Sequence, residues 1–359
     1  MDELLAAWWR LHQVRGVGQT TLYHLRDALG GMAPLAQLSA DQLVSHGLSA
    51  AAVQAWQQQP LTKDFEQLQQ WPQTAGQQLL LWQQGDYPEA LASLADAPLW
   101  LFAKGNTACL DQPMVAIVGS RNPTPYGRDW ARQCAYQLAR AGICVVSGMA
   151  LGIDAAAHEG ALEAGGSTIA VLGCGADVVY PKRHKQMYEQ IQQHGLILSE
   201  LPPGTLPLPS FFPGRNRIVS GLVQAVVVVE AALKSGSLIT ARLAAEQGRD
   251  VMAVPGAVNN PLAQGCHQLI RDGALLVRHA ADVIEELGLL QLQQTPASTS
   301  TAPQATPDLV SQLDYGSVTS LDVLAIRTAR PVSELMVNLL ELELDGWLRQ
   351  EPGGYRRLK

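Results

Sequence analysis

The apolar positions of the chain follow two rhythms. Up to about residue 105, Ala, Leu and Trp recur at helical spacing among polar Gln residues, and long β-branched runs are absent. Residues 1–105 are therefore expected to form a small helical domain. Within it, LHQVRGVGQTTLYHLRDALG sets Gly16 and Gly18 between two amphipathic stretches, a pattern resembling a SAM or helix-hairpin-helix unit. Such a turn can offer backbone N–H groups to a phosphate, or it can simply join two core helices. A lone GxG decides neither.

From Met114 the rhythm changes. Apolar, β-branched runs end in glycine or a small residue and lead into helical segments: MVAIVGS, GICVVSG, TIAVLGCG, LILSE, AVVVVEA and DVMAVPG. Continuous apolar strands alternating with helices predict a mostly parallel sheet covered on both faces. The expected fold class is α/β, with a Rossmann-like core over residues 106–290. Residues 291–307, QLQQTPASTSTAPQATP, offer almost nothing to a core and read as a flexible linker. Residues 308–359 then show two helical stretches with a turn near Ala329 and a hairpin about Gly353 and Gly354, the pattern of a winged-helix domain.

Charge narrows the function. A net charge of -7 excludes a diffuse polybasic surface, so nucleic-acid binding requires a local cluster. Residues 113–290 hold 14 basic and 14 acidic residues, whereas residues 1–112 hold 5 and 10. The central domain is thus the least acidic. The five cysteines are scattered without a CxxC pair, which argues against a disulfide framework or a zinc site. An acidic MDE start and no apolar run of about 20 residues lead us to expect a cytoplasmic protein without membrane association.

Four strand ends carry candidate chemistry: GSR at Gly119–Arg121, SGMALGID at Ser147–Asp154, GCGADVVYPKRHK at Gly173–Lys185 and KSGSLITA at Lys234–Ala241. In a parallel sheet they converge on one edge. The first turn, GSRNPTPYG, lacks GxGxxG, the second strand ends on Ser147 rather than an acid, and no GxxxxGK[ST] occurs. No dinucleotide, P-loop nucleotide or other cofactor is expected. Ser235, Gly236, Ser237 and Thr240 at a helix start suit one phosphate, although serine capping alone explains them equally well. Arg121, directly after a buried strand, would supply a fixed cation to such a site.

Lys182 leads the densest basic run. FFPGRNRIVSG, Phe211–Gly221, adds two aromatic rings and two arginines flanking Asn216, in what reads as a loop. A cationic groove with stacking faces is what single-stranded nucleic acid needs; buried rings and internal ion pairs are the alternative. Asp154 and His158 lie four apart on one helical face, either an acid–base pair or a capping aspartate with a helix histidine. Cys174 fits a buried thiol. The presumed recognition helix of the winged domain carries Glu334, Glu341, Glu343 and Asp345, which favours a protein contact over DNA.

The ordered set VAIVGSR, VSGMALGIDAAAH, VLGCGADVVYP, FPGRNRIVSGL, SGSLITA, EQGRDVMAVPG and GCHQLIRDGA resembles the DNA-processing protein A (DprA/Smf) family over Met114–Leu287. The resemblance implies a non-catalytic, single-stranded DNA-binding protein that protects incoming DNA and loads the recombinase RecA in natural transformation. It also implies a homodimer formed through the later half of the Rossmann domain. The residues matching the family's DNA pocket are Gly119, Ser120, Arg121, Lys182, Phe211, Phe212, Arg215, Asn216, Arg217, Ser235, Gly236, Ser237 and Thr240. His184 and His267 stand where the family often has asparagine. A related Rossmann group, the nucleotide phosphoribohydrolases, uses a PGGxGTxxE loop; KSGSLITARLAAE has no double glycine and puts Glu246 too far along.

Overall fold

The computed structural model describes residues 2–61, 63–288, 308–314, 317–328 and 330–358. The residues expected to form the linker, and Ala329, lie outside the described residues. The helical region and the sheet fall in one compact unit, and the C-terminal elements form a second.

The first unit is built on a nine-stranded sheet among the described residues. Its strands are β1 Gln77–Leu81, β2 Trp100–Gly105, β3 Met114–Gly119, β4 Cys144–Ser147, β5 Thr168–Val171, β6 Leu196–Ser199, β7 Ala225–Val229, β8 Asp250–Ala253 and β9 Leu275–Leu276. The spatial order is β1-β2-β6-β5-β4-β3-β7-β8-β9. All pairings from β6 to β9 are parallel, while β2 runs antiparallel to both β1 and β6. All six strands expected from the apolar runs are present.

Two strands correct the expectation of an all-helical segment to residue 105. β1 and β2 extend the sheet on the β6 side, with Leu81 opposite Trp100. Neither QQLLL nor WLFAKG contains a β-branched residue, so nothing local marks them as strands. Cross-strand packing makes them so. The helices Asp2–His12 and Gln19–Ala28 do flank Gly16 and Gly18 as expected. They bury Trp8, Trp9 and Leu25 in one core with Trp100 and Phe102, and the Trp8 indole donates to Met32 O at 2.7 Å. The helical region is thereby fused to the sheet.

Parallel pairing proceeds from β3 through β4 and β5 to β6, then the chain returns to place β7 on the other side of β3. The loops after β3 and β7 therefore diverge to opposite faces and leave a crevice at the carboxyl edge, the position where open α/β sheets bind ligands. The winged-helix unit has helices Leu321–Thr328 and Val332–Leu344 and an antiparallel hairpin, β10 Leu348–Glu351 with β11 Gly354–Arg357. Leu324, Leu335, Leu339 and Tyr355 form its core.

Candidate nucleic-acid interface

A cleft of about 470 Å³ lies at the β3/β7 crevice. Its floor is the end of β3. Gly119 pairs with Val229 in register, and a side chain there would overlap the Val229 carbonyl and reach within 2.7 Å of Ile153. Only glycine allows that approach. Ser120 N–H donates to Glu230 O at 2.7 Å, and Ser120 Oγ accepts from Asn122 N–H at 3.1 Å. This turn delivers Arg121, an exposed residue lining the cleft. The Arg121 guanidinium lies 5.9 Å from the centroid of the Phe212 ring.

The opposite wall corrects the sequence reading. Phe211–Leu222 is a helix, not a loop. Pro213 is its third residue, where a missing N–H leaves no intrahelical bond unmade; the Pro-Gly pair reads as a breaker but sits harmlessly in the first turn. Helical geometry then divides the candidates. Phe212, Arg215, Asn216 and Val219, spaced i, i+3, i+4, i+7, all line the cleft.

Arg217, two residues on from Arg215, points to the other side. Only 7% exposed, it pairs with Glu200 at 2.7 Å and Asp96 at 3.6 Å, and it donates to the Tyr23 hydroxyl at 2.7 Å. It is an internal strut and does not line the cleft. Phe211 is half-buried and also lies outside the cleft lining.

Arg215 is at the cleft but sunk into its floor. It is 7% exposed and donates through Nη1 to Val171 O at 2.6 Å. Gly148 packs directly on its guanidinium, leaving no room for a Cβ. Burial holds the Arg215 guanidinium below its ordinary range, opposed by the charge of Asp154. Asp154 in turn is pushed up by burial, against the pull of Arg215 and two backbone N–H groups, those of Gly148 at 3.1 Å and Ala150 at 3.2 Å.

The Tyr180 ring lies 5.7 Å from that of Phe212, so the two present a tilted aromatic pair beside Arg121. Tyr180 was not singled out by its sequence. Its neighbour Lys182 is exposed on the single 3-10 turn Lys182–His184, outside the cleft lining. His184 holds that turn by donating from Nδ1 to Met149 O at 3.2 Å, and burial keeps its imidazole below the ordinary value.

Ser235 caps the helix Gly236–Glu246, its Oγ accepting from Ser237 N–H at 3.2 Å and touching Ser237 Oγ. Ser235, Gly236, Ser237 and Thr240 all line the cleft. The positive end of this 11-residue helix thus opens onto the same space as Arg121.

Asp154 and His158 share the helix Ile153–Glu163 but are not partners. The Thr168 hydroxyl donates to Val145 O at 2.6 Å, so its contact with His158 Nδ1 at 2.7 Å requires Nδ1 to carry the proton. Nε2 is left buried and bare. Burial lowers this imidazole from its ordinary 6.5 to about 3. The unfolded chain therefore takes up a proton below pH 6.5 that the folded chain refuses, and stability falls as the pH drops from 6.5 towards 3. The slope from this residue is about 1.4 kcal/mol per pH unit. His158→Leu is expected to flatten the fall in urea midpoint between pH 7.5 and 5; parallel pH profiles would rule the account out. Cys174 is a buried thiol pushed up to about 11 by burial.

A family model for DNA recombination-mediator protein A matches residues 78–288, starting inside β1, and one for the DprA winged helix domain matches residues 293–354. The chain belongs to the DNA recombination-mediator protein A family. Protein Smf of Escherichia coli K12 is 43% identical over 282 residues, covering 76% of this chain and 75% of that protein. DNA processing protein DprA of Streptococcus pneumoniae R6 is 48% identical over 200 residues, covering 56% of this chain and 71% of that one. The X-ray structure of the Streptococcus pneumoniae protein aligns with a TM-score of 0.69 at 37% identity, over 77% of this chain and 96% of that one. A structure addressing the single-stranded DNA binding mode of DNA processing protein A from Helicobacter pylori aligns with a TM-score of 0.54 at 36% identity, over 58% of this chain and 95% of that one.

Proposed function

We propose that this chain binds single-stranded DNA without catalysis, protects it, and hands it to the recombinase RecA during natural transformation and recombination, as a cytoplasmic homodimer. The observation that carries the reading is the convergence, in one crevice, of Arg121, a helix N-terminus capped by Ser235 and the Phe212–Tyr180 pair. Phosphates meet Arg121 and the Gly119–Ser120 turn on one side and the helix start at Ser235 and Gly236 on the other, with Ser237 and Thr240 buried beneath it. Lys182 attracts the strand as it leaves, Asn216 offers a side-chain amide, and bases stack on Phe212. Arg215 contributes field from the floor rather than a mobile contact. The DNA-binding description of the Helicobacter pylori relative supports this assignment.

A non-catalytic role suits the groups at the cleft. Asp154 accepts from two backbone N–H groups and feels the charge of Arg215, and the Cys174 thiol, outside the cleft lining, is pushed up to about 11 by burial. The family's description as recombination mediators supports delivery to RecA. β9, the edge strand of the sheet, carries exposed Leu275 and Leu276 and offers an apolar edge for dimerisation by the later half of the domain. Met336, Val337 and Leu340 are exposed on the acidic helix of the winged unit, which favours a protein contact there.

The test is fluorescence anisotropy with a labelled oligo-dT and a matched duplex. Tighter binding of the single strand that weakens steeply with salt is expected. Equal affinity for both, or salt-independent binding, would refute the reading.

A further inference from the structure

Glu230, directly after β7, is a buried acidic residue in the left-handed region at φ 53. Among the described residues only Gln83 and Met149 share such a φ without being glycine. The conformation is unfavourable for a residue with a Cβ, and a carboxylate beside an anion-binding crevice opposes phosphate. Both penalties need a compensating role.

The contacts supply one. Glu230 O accepts from Ser120 N–H at 2.7 Å, and its carboxylate accepts from Thr124 N–H at 2.7 Å and from the Thr124 hydroxyl. Thr124 Oγ1 accepts in turn from Gly127 N–H at 3.1 Å, capping the helix Pro125–Arg140. Gly127 leaves the space that the carboxylate fills, since a Cβ there would lie 2.5 Å from it. One residue thus grips both ends of the segment Ser120–Thr124, with the exposed Arg121 between the two grips. The left-handed turn at Glu230 lets the same residue offer its carbonyl to Ser120 and its side chain to Thr124.

We infer that Glu230 is a positioning residue for DNA binding: it fixes the Ser120–Thr124 turn so that Arg121 stands over the cleft. The inference rests on the single-stranded DNA reading proposed above. Two simpler roles predict otherwise. If Glu230 acted only as a charge, its removal would strengthen binding to a polyanion. If it served only the fold, its removal would lower stability and leave the affinity of folded protein unchanged.

The experiment uses the full chain with Glu230→Gln and, in case that variant folds poorly, Thr124→Val, which removes the hydroxyl partner together with its cap on Gly127 N–H. Anisotropy with labelled oligo-dT is expected to show about fivefold weaker binding for either variant. Glu230→Gln with Arg121→Ala should bind no more weakly than Arg121→Ala alone. Thr124→Ser, which keeps the hydroxyl, should restore binding. Tighter or unchanged binding by Glu230→Gln, or losses that add to those of Arg121→Ala, would overturn the inference. Amide hydrogen exchange supplies a DNA-free readout, with faster exchange at Ser120–Thr124 and unchanged protection in β4 and β5. If the wild type fails to bind oligo-dT, the functional reading falls by itself. Unchanged exchange in that turn overturns the positioning role in either case.

Discussion

Arg217→Ala is expected to lower folding stability by about 3–5 kcal/mol, the typical result of removing one partner from a buried ion pair, while the folded protein keeps its DNA affinity. The guanidinium is sandwiched by Glu200, Asp96 and Tyr23, and the Tyr23 hydroxyl also donates to Glu200 at 2.8 Å. Trp100 Nε1 donates to Glu200 O at 3.2 Å. Removing Arg217 would strand the Glu200 carboxylate, whose side chain is 14% exposed, at the junction of the helical region and the sheet. Urea unfolding followed by tryptophan fluorescence reports this well, because Trp8, Trp9 and Trp100 are all buried in that core. Wild-type stability combined with weakened DNA binding would instead place Arg217 in the groove.

Arg121→Ala is expected to do the reverse. A charge-assisted hydrogen bond to a phosphate is worth about 1.5–3 kcal/mol, so affinity for oligo-dT should fall by about tenfold to a hundredfold. The side chain is exposed, so stability should change by no more than about 0.5 kcal/mol. The contrast follows from placement alone. Both arginines come from basic motifs of the same family pattern, yet one stands at the rim of the cleft and the other behind its wall.

How far these roles can be read from the sequence depends on what each one requires. Six strands were legible because runs such as AVVVV and MVAIV are buried on both faces and need no polar alternation. β1 and β2 were not, since QQLLL and WLFAKG become strands only by pairing with each other and with β6. The convergence of GSR and SGS on one edge was legible from parallel topology, and the sheet order adds that they meet at the β3/β7 switch point.

The opposed directions of Arg215 and Arg217 were hidden by Pro213 and Gly214, which look like a break but begin a helix. Once the segment is helical, a separation of two residues puts the cations on different faces. Glu230 could not have been found by pattern. Its partner Thr124 is 106 residues away in sequence, and its role depends on a left-handed φ that glutamate rarely adopts.

The central claim is that a single strand is held at this edge through phosphate contacts that include Arg121. The most direct measurement is a salt series of oligo-dT affinity for the wild type and Arg121→Ala side by side, plotted as log affinity against log salt. Each phosphate contact to single-stranded DNA adds about 0.7 to the slope. The variant's line should be shallower by about 0.7 and lie below the wild type at low salt; two superimposable lines would contradict the account.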